Sequence, residues 1–150
     1  MAEIADAWVD IMSPRFVRSS PRSMSPADSI RVLLCDDVEA FRALMRYSLQ
    51  DHEGIEVVGE AADGNEGIRQ ACDLQPDVVL LDLSMPGCDG LEAIPVIRRN
   101  SPGVQIVALS GFTAERMAEP VLARGAQAYV EKGADVTEIV AAIRGAHLAA

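Results

Sequence analysis

The chain has no basic stripe: its 13 Lys and Arg stand against 23 Asp and Glu, a formal net charge of -10 over 150 residues. That balance repels a phosphate backbone, so direct nucleic-acid binding by this chain is not expected, and proteins or small ions are its natural partners. No apolar run approaches the length needed to cross a bilayer, so no membrane association is expected. The three cysteines, Cys35, Cys72 and Cys88, are odd in number and lack metal-ligand spacing. They read as reduced thiols of a cytoplasmic protein, packed as small hydrophobes. His52 and His147 are isolated and read as surface residues rather than ligands. A basic start followed by an apolar core is also missing at the N-terminus, which argues against a secretion signal. What remains, 49% hydrophobic and 24% charged residues, is ordinary for one globular domain with a full core.

Residues 1–29 differ from the rest and read as a flexible N-terminal extension. Ser13 to Pro26 is rich in Ser, Pro and Arg and has no hydrophobic period. Before it, Ile4, Trp8, Ile11 and Met12 would fall on one stripe of a short helix, of a length that is marginal in water by itself. Met24 offers a second plausible start of the natural protein.

From Ile30 onward, strand-like runs alternate with helical periods. The runs are Ile30 to Cys35, Ile55 to Ala61, Asp77 to Leu83, Val104 to Leu109 and Ala128 to Val130. Between and after them, Val38/Phe41/Leu44/Met45/Leu49, Ile68/Ala71/Cys72, Leu91/Ile94/Ile97 and Val136/Ile139/Val140/Ile143 are each spaced for one helical face. Asp63-x-x-Glu66, Asp89-x-x-Glu92 and Asp135-x-x-Glu138 look like helix starts, with a capping residue and a carboxylate near the N-terminus. Five such βα units, joined by right-handed crossovers, predict a flavodoxin-like, doubly wound α/β fold. Its five-stranded parallel sheet takes the order 2-1-3-4-5, with helices on both faces, over residues 30–150.

In that order the carboxyl ends of the first and third strands are neighbours, and ligands of open α/β sheets bind along that edge. The first strand ends in Asp36-Asp37 and the third in Asp82, so three carboxylates converge. They would oppose folding unless a cation such as Mg²⁺ sits among them. The fourth strand ends in Ser110 and the fifth runs into Lys132, a hydroxyl and an ammonium suited to phosphoryl oxygens. Each residue alone has a plain reading: a solvated acidic pair, a loop hydroxyl, a surface lysine. Together they describe a site that accepts phosphate on a carboxylate.

These motifs resemble the receiver domain of two-component response regulators, from Ile30 to the C-terminus. The matching elements are Leu-Leu-Cys-Asp36-Asp37, Leu-Leu-Asp82-Leu-Ser-Met-Pro86-Gly-Cys-Asp-Gly90, Ala-Leu-Ser110-Gly and Gly125-Ala-Gln-Ala-Tyr129-Val-Glu-Lys132. The resemblance implies that Asp82 takes a phosphoryl group from a histidine kinase or a phosphotransfer protein. It implies Mg²⁺ held by Asp37, Asp82 and the Ser84 carbonyl, with Asp36 helping through water. Ser110 and Lys132 would hold the phosphoryl oxygens, and Tyr129 would be a switch aromatic that turns inward as Ser110 moves; a half-buried core tyrosine is the plain alternative. Such a chain is not an enzyme in the usual sense, since it catalyses only its own phosphorylation and dephosphorylation.

Two departures from the family pattern bear on the structure. Gly133 follows Lys132 where many receivers have proline, so glycine freedom should shape that loop. Pro120 falls inside the helix expected from Thr113 to Arg124, which should be kinked or short, and Pro95 lies inside the helix before it. The leading expectation is a stand-alone switch acting on an output protein, with a homodimer left open. One alternative is the receiver part of a DNA-binding transcriptional regulator whose effector domain is absent from this chain; the other is a constitutive interaction protein that no longer uses phosphate, against which the complete acidic set argues. An aspartyl-phosphate hydrolase is disfavoured, because Asp82-Leu-Ser84 has no second acid two residues on.

Overall fold

The computed structural model describes residues 28–85 and 88–150. The expectations for residues 1–27, and for the Pro86-Gly87 turn, lie outside the described residues.

Strands β1 (Ile30–Cys35), β2 (Ile55–Ala61), β3 (Val78–Asp82), β4 (Gln105–Ser110) and β5 (Ala128–Glu131) alternate with helices. The helices are α1 (Glu39–Gln50), α2 (Gly64–Leu74), α3 (Gly90–Asn100), α4 (Ala114–Ala123) and α5 (Val136–Leu148). The strands form one parallel sheet in the order β2-β1-β3-β4-β5, as the sequence predicts.

Side-chain alternation along β3 explains why that strand is apolar throughout. Val78 and Leu80 face one core layer, completed by Met45 and Leu49 of α1 and Ile139, Val140 and Ile143 of α5. Val79 and Leu81 face the other, completed by Ala71 of α2, Ile94 and Ile97 of α3 and Val121 of α4. A strand covered on both faces has no side left for polar residues until it ends, and β3 ends at Asp82.

The helix starts follow the capping pattern at two of three places. Asp63 accepts from the Glu66 N–H and Asp89 from the Glu92 N–H, each at 2.8 Å. The Asp135 side chain makes no cap bond; instead its carbonyl accepts from Glu138 and Ile139, so the third expected cap is made by the backbone. α4 is short, as expected, ten residues between Thr113 and Arg124 with Pro120 inside it.

Three expectations are corrected. Val38 and Leu44 are 49% and 55% exposed, because Val38 precedes the first turn of α1 and Leu44 lies beside the seam on which Phe41, Met45 and Leu49 meet the core. Cys72 is exposed rather than packed, whereas Cys35 is buried and Cys88 half-buried; on α2 only Ile68 and Ala71 of the expected stripe reach the core. Gly133 does not have positive φ and would meet nothing within 4 Å if it carried a Cβ, so its loop does not depend on glycine freedom. A turn closed by Ala134 N–H on the Glu131 carbonyl shapes it instead, and the described residues contain no cis peptide.

Candidate functional site

Strand period places the charged groups. Two residues beyond Leu34, Leu80 and Val130 come Asp36, Asp82 and Lys132, all on the side of the sheet that faces α1. Backbone ladders continue past the strand ends and hold this edge in register: Asp36 N–H on the Ala61 carbonyl, Leu83 N–H on Leu109, and Lys132 N–H on Ser110. Gly90 makes the edge compact. Its N–H bonds the Leu83 carbonyl, and a Cβ there would stand 2.1 Å from the Asp82 carbonyl oxygen, so α3 can start this close only with glycine.

One carboxylate oxygen from each of Asp36, Asp37 and Asp82 lies within 4.8 Å of the others. Asp36 and Asp82 are buried and Asp37 is exposed. Lys132 Nζ stands 2.8 Å from Asp36 Oδ2 and 3.4 Å from Asp82 Oδ2, yet neither oxygen receives a hydrogen bond of good geometry. Burial pushes the Asp82 carboxyl up, and the Asp36 charge adds to this; the Ser84 N–H and Lys132 only partly offset them. Lys132 is held above its ordinary range: burial would lower it, but the ion pairs with Asp36 and Asp82 outweigh burial. Two buried carboxylate oxygens thus share a single ammonium, which leaves them capacity for a second cation. Hard oxygen donors of this kind suit Mg²⁺, and the residues present fit that ion.

The other expected residues surround this cluster. The Ser84 N–H donates to Asp82 Oδ1 at 3.1 Å, and the residue is exposed. Ser110 is fully buried, its Oγ accepting from the Phe112 N–H at 3.3 Å, which leaves its O–H free to donate. Tyr129 is half-buried against the α3/α4 core layer, with its hydroxyl on the Phe112 carbonyl. Phe112 itself is 48% exposed, with the Arg116 guanidinium 5.5 Å from its ring centroid.

Two contributors escaped the sequence reading because both sit in the first turns of α1, where apolar period alone assigns roles. Phe41 packs on the core and also lies under Lys132 Nζ, 4.6 Å from the ring centroid. Arg42 donates to the Asp36 carbonyl and is paired with Glu60. Nothing in the spacing of Arg42 marks it, since Glu60 is far off in sequence and becomes a neighbour only through β1–β2 pairing.

The response regulator receiver domain family model matches residues 32–144. The chain is 44% identical over 117 residues to the transcriptional regulatory protein LiaR of Bacillus subtilis (strain 168), covering 78% of this chain and 56% of that protein. It is 41% identical over 115 residues to the response regulator GacA of Pseudomonas viridiflava, covering 77% and 54%. The chain thus spans just over half the length of these curated relatives. Among solved structures, a LuxR-family two-component response regulator from Aurantimonas sp. SI85-9A1 superposes with TM-score 0.77 at 32% identity, over 81% of this chain and 86% of that one. The response regulator domain of Thermotoga maritima CheB gives 0.74 at 29% identity, over 80% and 97%.

Proposed function

The chain belongs to the response regulator receiver domain family, and on that premise we propose that it is a switch whose Asp82 accepts a phosphoryl group from the phosphohistidine of a sensor kinase or phosphotransfer protein. The observation that carries this reading is the buried Asp82, its charge opposed by burial, at the strand end where Asp36, Asp37 and Lys132 converge. In the transfer, an Asp82 carboxylate oxygen forms a bond to phosphorus as the phosphorus–nitrogen bond of the donor breaks, and the imidazole leaves and is reprotonated from solvent. Lys132 meets one phosphoryl oxygen, exchanging its pair with Asp82 for the new anion. Ser110 turns its hydroxyl toward another oxygen. Asp36, Asp37 and Asp82, with the Ser84 carbonyl, would hold Mg²⁺, which when bound screens the carboxylates and draws charge from the transferring group. Hydrolysis reverses the switch when water attacks phosphorus and the bond to Asp82 breaks.

In this reading the chain acts in the cytoplasm, through protein partners, and catalyses only its own phosphorylation and dephosphorylation. Among the described residues no helix is long and apolar enough to cross a membrane. A second reading, as the receiver of a DNA-binding transcriptional regulator, is favoured by the relatives named above, one of them called a transcriptional regulatory protein. DNA contact would then belong to a segment outside this chain, and a reading frame continuing past Ala150 would support it.

Incubation with acetyl phosphate and Mg²⁺, followed by intact mass, tests the proposal. One phosphoryl group should be gained, and lost on Asp82→Asn or in chelator. Undiminished uptake in either control would refute it.

A further inference from the structure

We infer that Arg42 is a positioning residue for the acidic site: by holding the Asp36 carbonyl it fixes the Asp36–Asp37 peptide so that both carboxylates face Asp82, ready for a divalent cation. The inference rests on the cation-site reading above and assigns to α1 a part in it.

The contacts form a clamp. Arg42 Nη1 donates to the Asp36 carbonyl at 2.5 Å while its Nε donates to Glu60 Oε1 at 3.1 Å. One turn on, Arg46 takes the other oxygen, with Nη2 2.7 Å and Nε 2.8 Å from Glu60 Oε2. Glu60, on β2, is thus gripped from two successive turns of α1, and a planar guanidinium with several donors bridges β2 to the end of β1 in a way an ammonium cannot. Burial alone would raise the Glu60 carboxyl, but the bonds from Arg46 and Arg42 hold it below its ordinary range, so the clamp is charged at neutral pH.

Asp36 is fixed at its other polar atoms as well. Its N–H bonds the Ala61 carbonyl at 3.0 Å and its Oδ1 accepts from the Val38 N–H at 2.8 Å. With Arg42 on the carbonyl, Oδ2 is the atom left facing Lys132 and the shared space. Asp37 is exposed, and the peptide that Arg42 holds sets where its carboxylate begins.

Charge and geometry act in opposite directions here, which makes the role measurable. A guanidinium beside a cation site repels the cation, so a purely electrostatic Arg42 weakens binding and its removal tightens it. A positioning Arg42 strengthens binding, and outer partners of metal ligands typically change affinity by 10–100-fold. A residue that only stabilises the fold would lower the melting temperature and leave affinity unchanged.

The test is Mn²⁺ affinity of the 150-residue chain, read from the paramagnetic resonance of free Mn²⁺, with thermal melts alongside. Arg42→Met should weaken binding about tenfold. Arg42→Lys, which keeps the charge but has one nitrogen for two acceptors, should weaken it by less, and its loss cannot be electrostatic. Equal or tighter binding by Arg42→Met would overturn the inference. Should that variant melt too low to assay, wild-type affinity in both Arg42→Lys and Glu60→Gln would overturn it, and weakening in Arg42→Lys would support it. Asp37→Asn separates the two levels. If the wild type binds no better than Asp37→Asn, the cation-site reading falls and this inference with it; if only Asp37→Asn is impaired, Arg42 has no positioning role and the site reading stands.

Discussion

Tyr129 donates its hydroxyl to the Phe112 carbonyl at 2.6 Å, tying β5 to the loop that leaves β4. The same loop is held to Ser110 through the Phe112 N–H and to the end of β5 through Ala114 N–H on Glu131. A Ser110 hydroxyl drawn toward a phosphoryl group on Asp82 would pull on its bond with the Phe112 N–H, and the Phe112 carbonyl is the tyrosine's acceptor. A ligand shifts a conformational equilibrium only through contacts that differ between the states, and these contacts would differ. Backbone amide shifts on phosphorylation should reach α4, β5 and α5. Tyr129→Phe, which keeps the ring and loses the tether, should shrink the changes in β5 and α5. Wild-type changes confined to Asp36, Asp82 and their loops would refute the coupling.

Asp82→Asn should stabilise the chain at neutral pH in chelator. Because burial raises the Asp82 carboxyl above its ordinary value of 3.8, the folded state binds this proton more tightly than the unfolded state. Stability is then highest below that ordinary value, declines as pH rises through the window up to the folded-state value, and stays reduced above it. Removing the charge removes the penalty, raising Tm by about 3 °C for each kcal/mol recovered in a domain this size. The gap between variant and wild type should close in melts at low pH. A lower Tm for the variant at pH 7 would mean that pairing with Lys132 outweighs burial.

The aspartyl phosphate should be long-lived. Family resemblance sets Ser84 and Phe112 beside the path of the attacking water, and Phe112 offers bulk without a group to orient that water. A tenfold longer lifetime needs only about 1.4 kcal/mol more barrier. Decay of the purified phosphoprotein should quicken severalfold in both Phe112→Ala and Phe112→Glu. The ring is 48% exposed, with the Arg116 guanidinium 5.5 Å from its centroid; unchanged decay in both variants would show that Phe112 does not guard the site.

Gly90→Ala and Gly133→Ala should differ sharply in unfolding free energy. The added methyl at residue 90 meets the Asp82 carbonyl oxygen at 2.1 Å and Leu83 Cα at 2.7 Å, backbone atoms that cannot rotate aside. Overpacking of this kind costs about 1–3 kcal/mol or more. At residue 133 nothing lies within 4 Å and φ is not positive, so the change should be neutral or stabilising by up to about 1 kcal/mol. Denaturant melts of the two variants measure this directly. Phosphoryl uptake should also fall in Gly90→Ala, because the displaced backbone carries Asp82.

Sequence alone determined the strand order, the placing of Asp36, Asp37, Asp82, Ser110 and Lys132 at one edge, and two of the three side-chain caps. Those features follow from local period, chain connectivity and the handedness of βα crossovers, all written along the chain. The exposure of Leu44 was not legible, because apolar spacing marks a helical face but not how wide a stripe the sheet covers. The loop after Lys132 was misread because glycine permits positive φ without requiring it. Arg42, Glu60 and the ring of Phe41 beneath Lys132 became part of the site only when α1 was laid across β1 and β2. Pairings of that kind join residues far apart in sequence through the packing angle of one helix on a sheet. No spacing along the chain encodes that angle, so tertiary structure alone decided them.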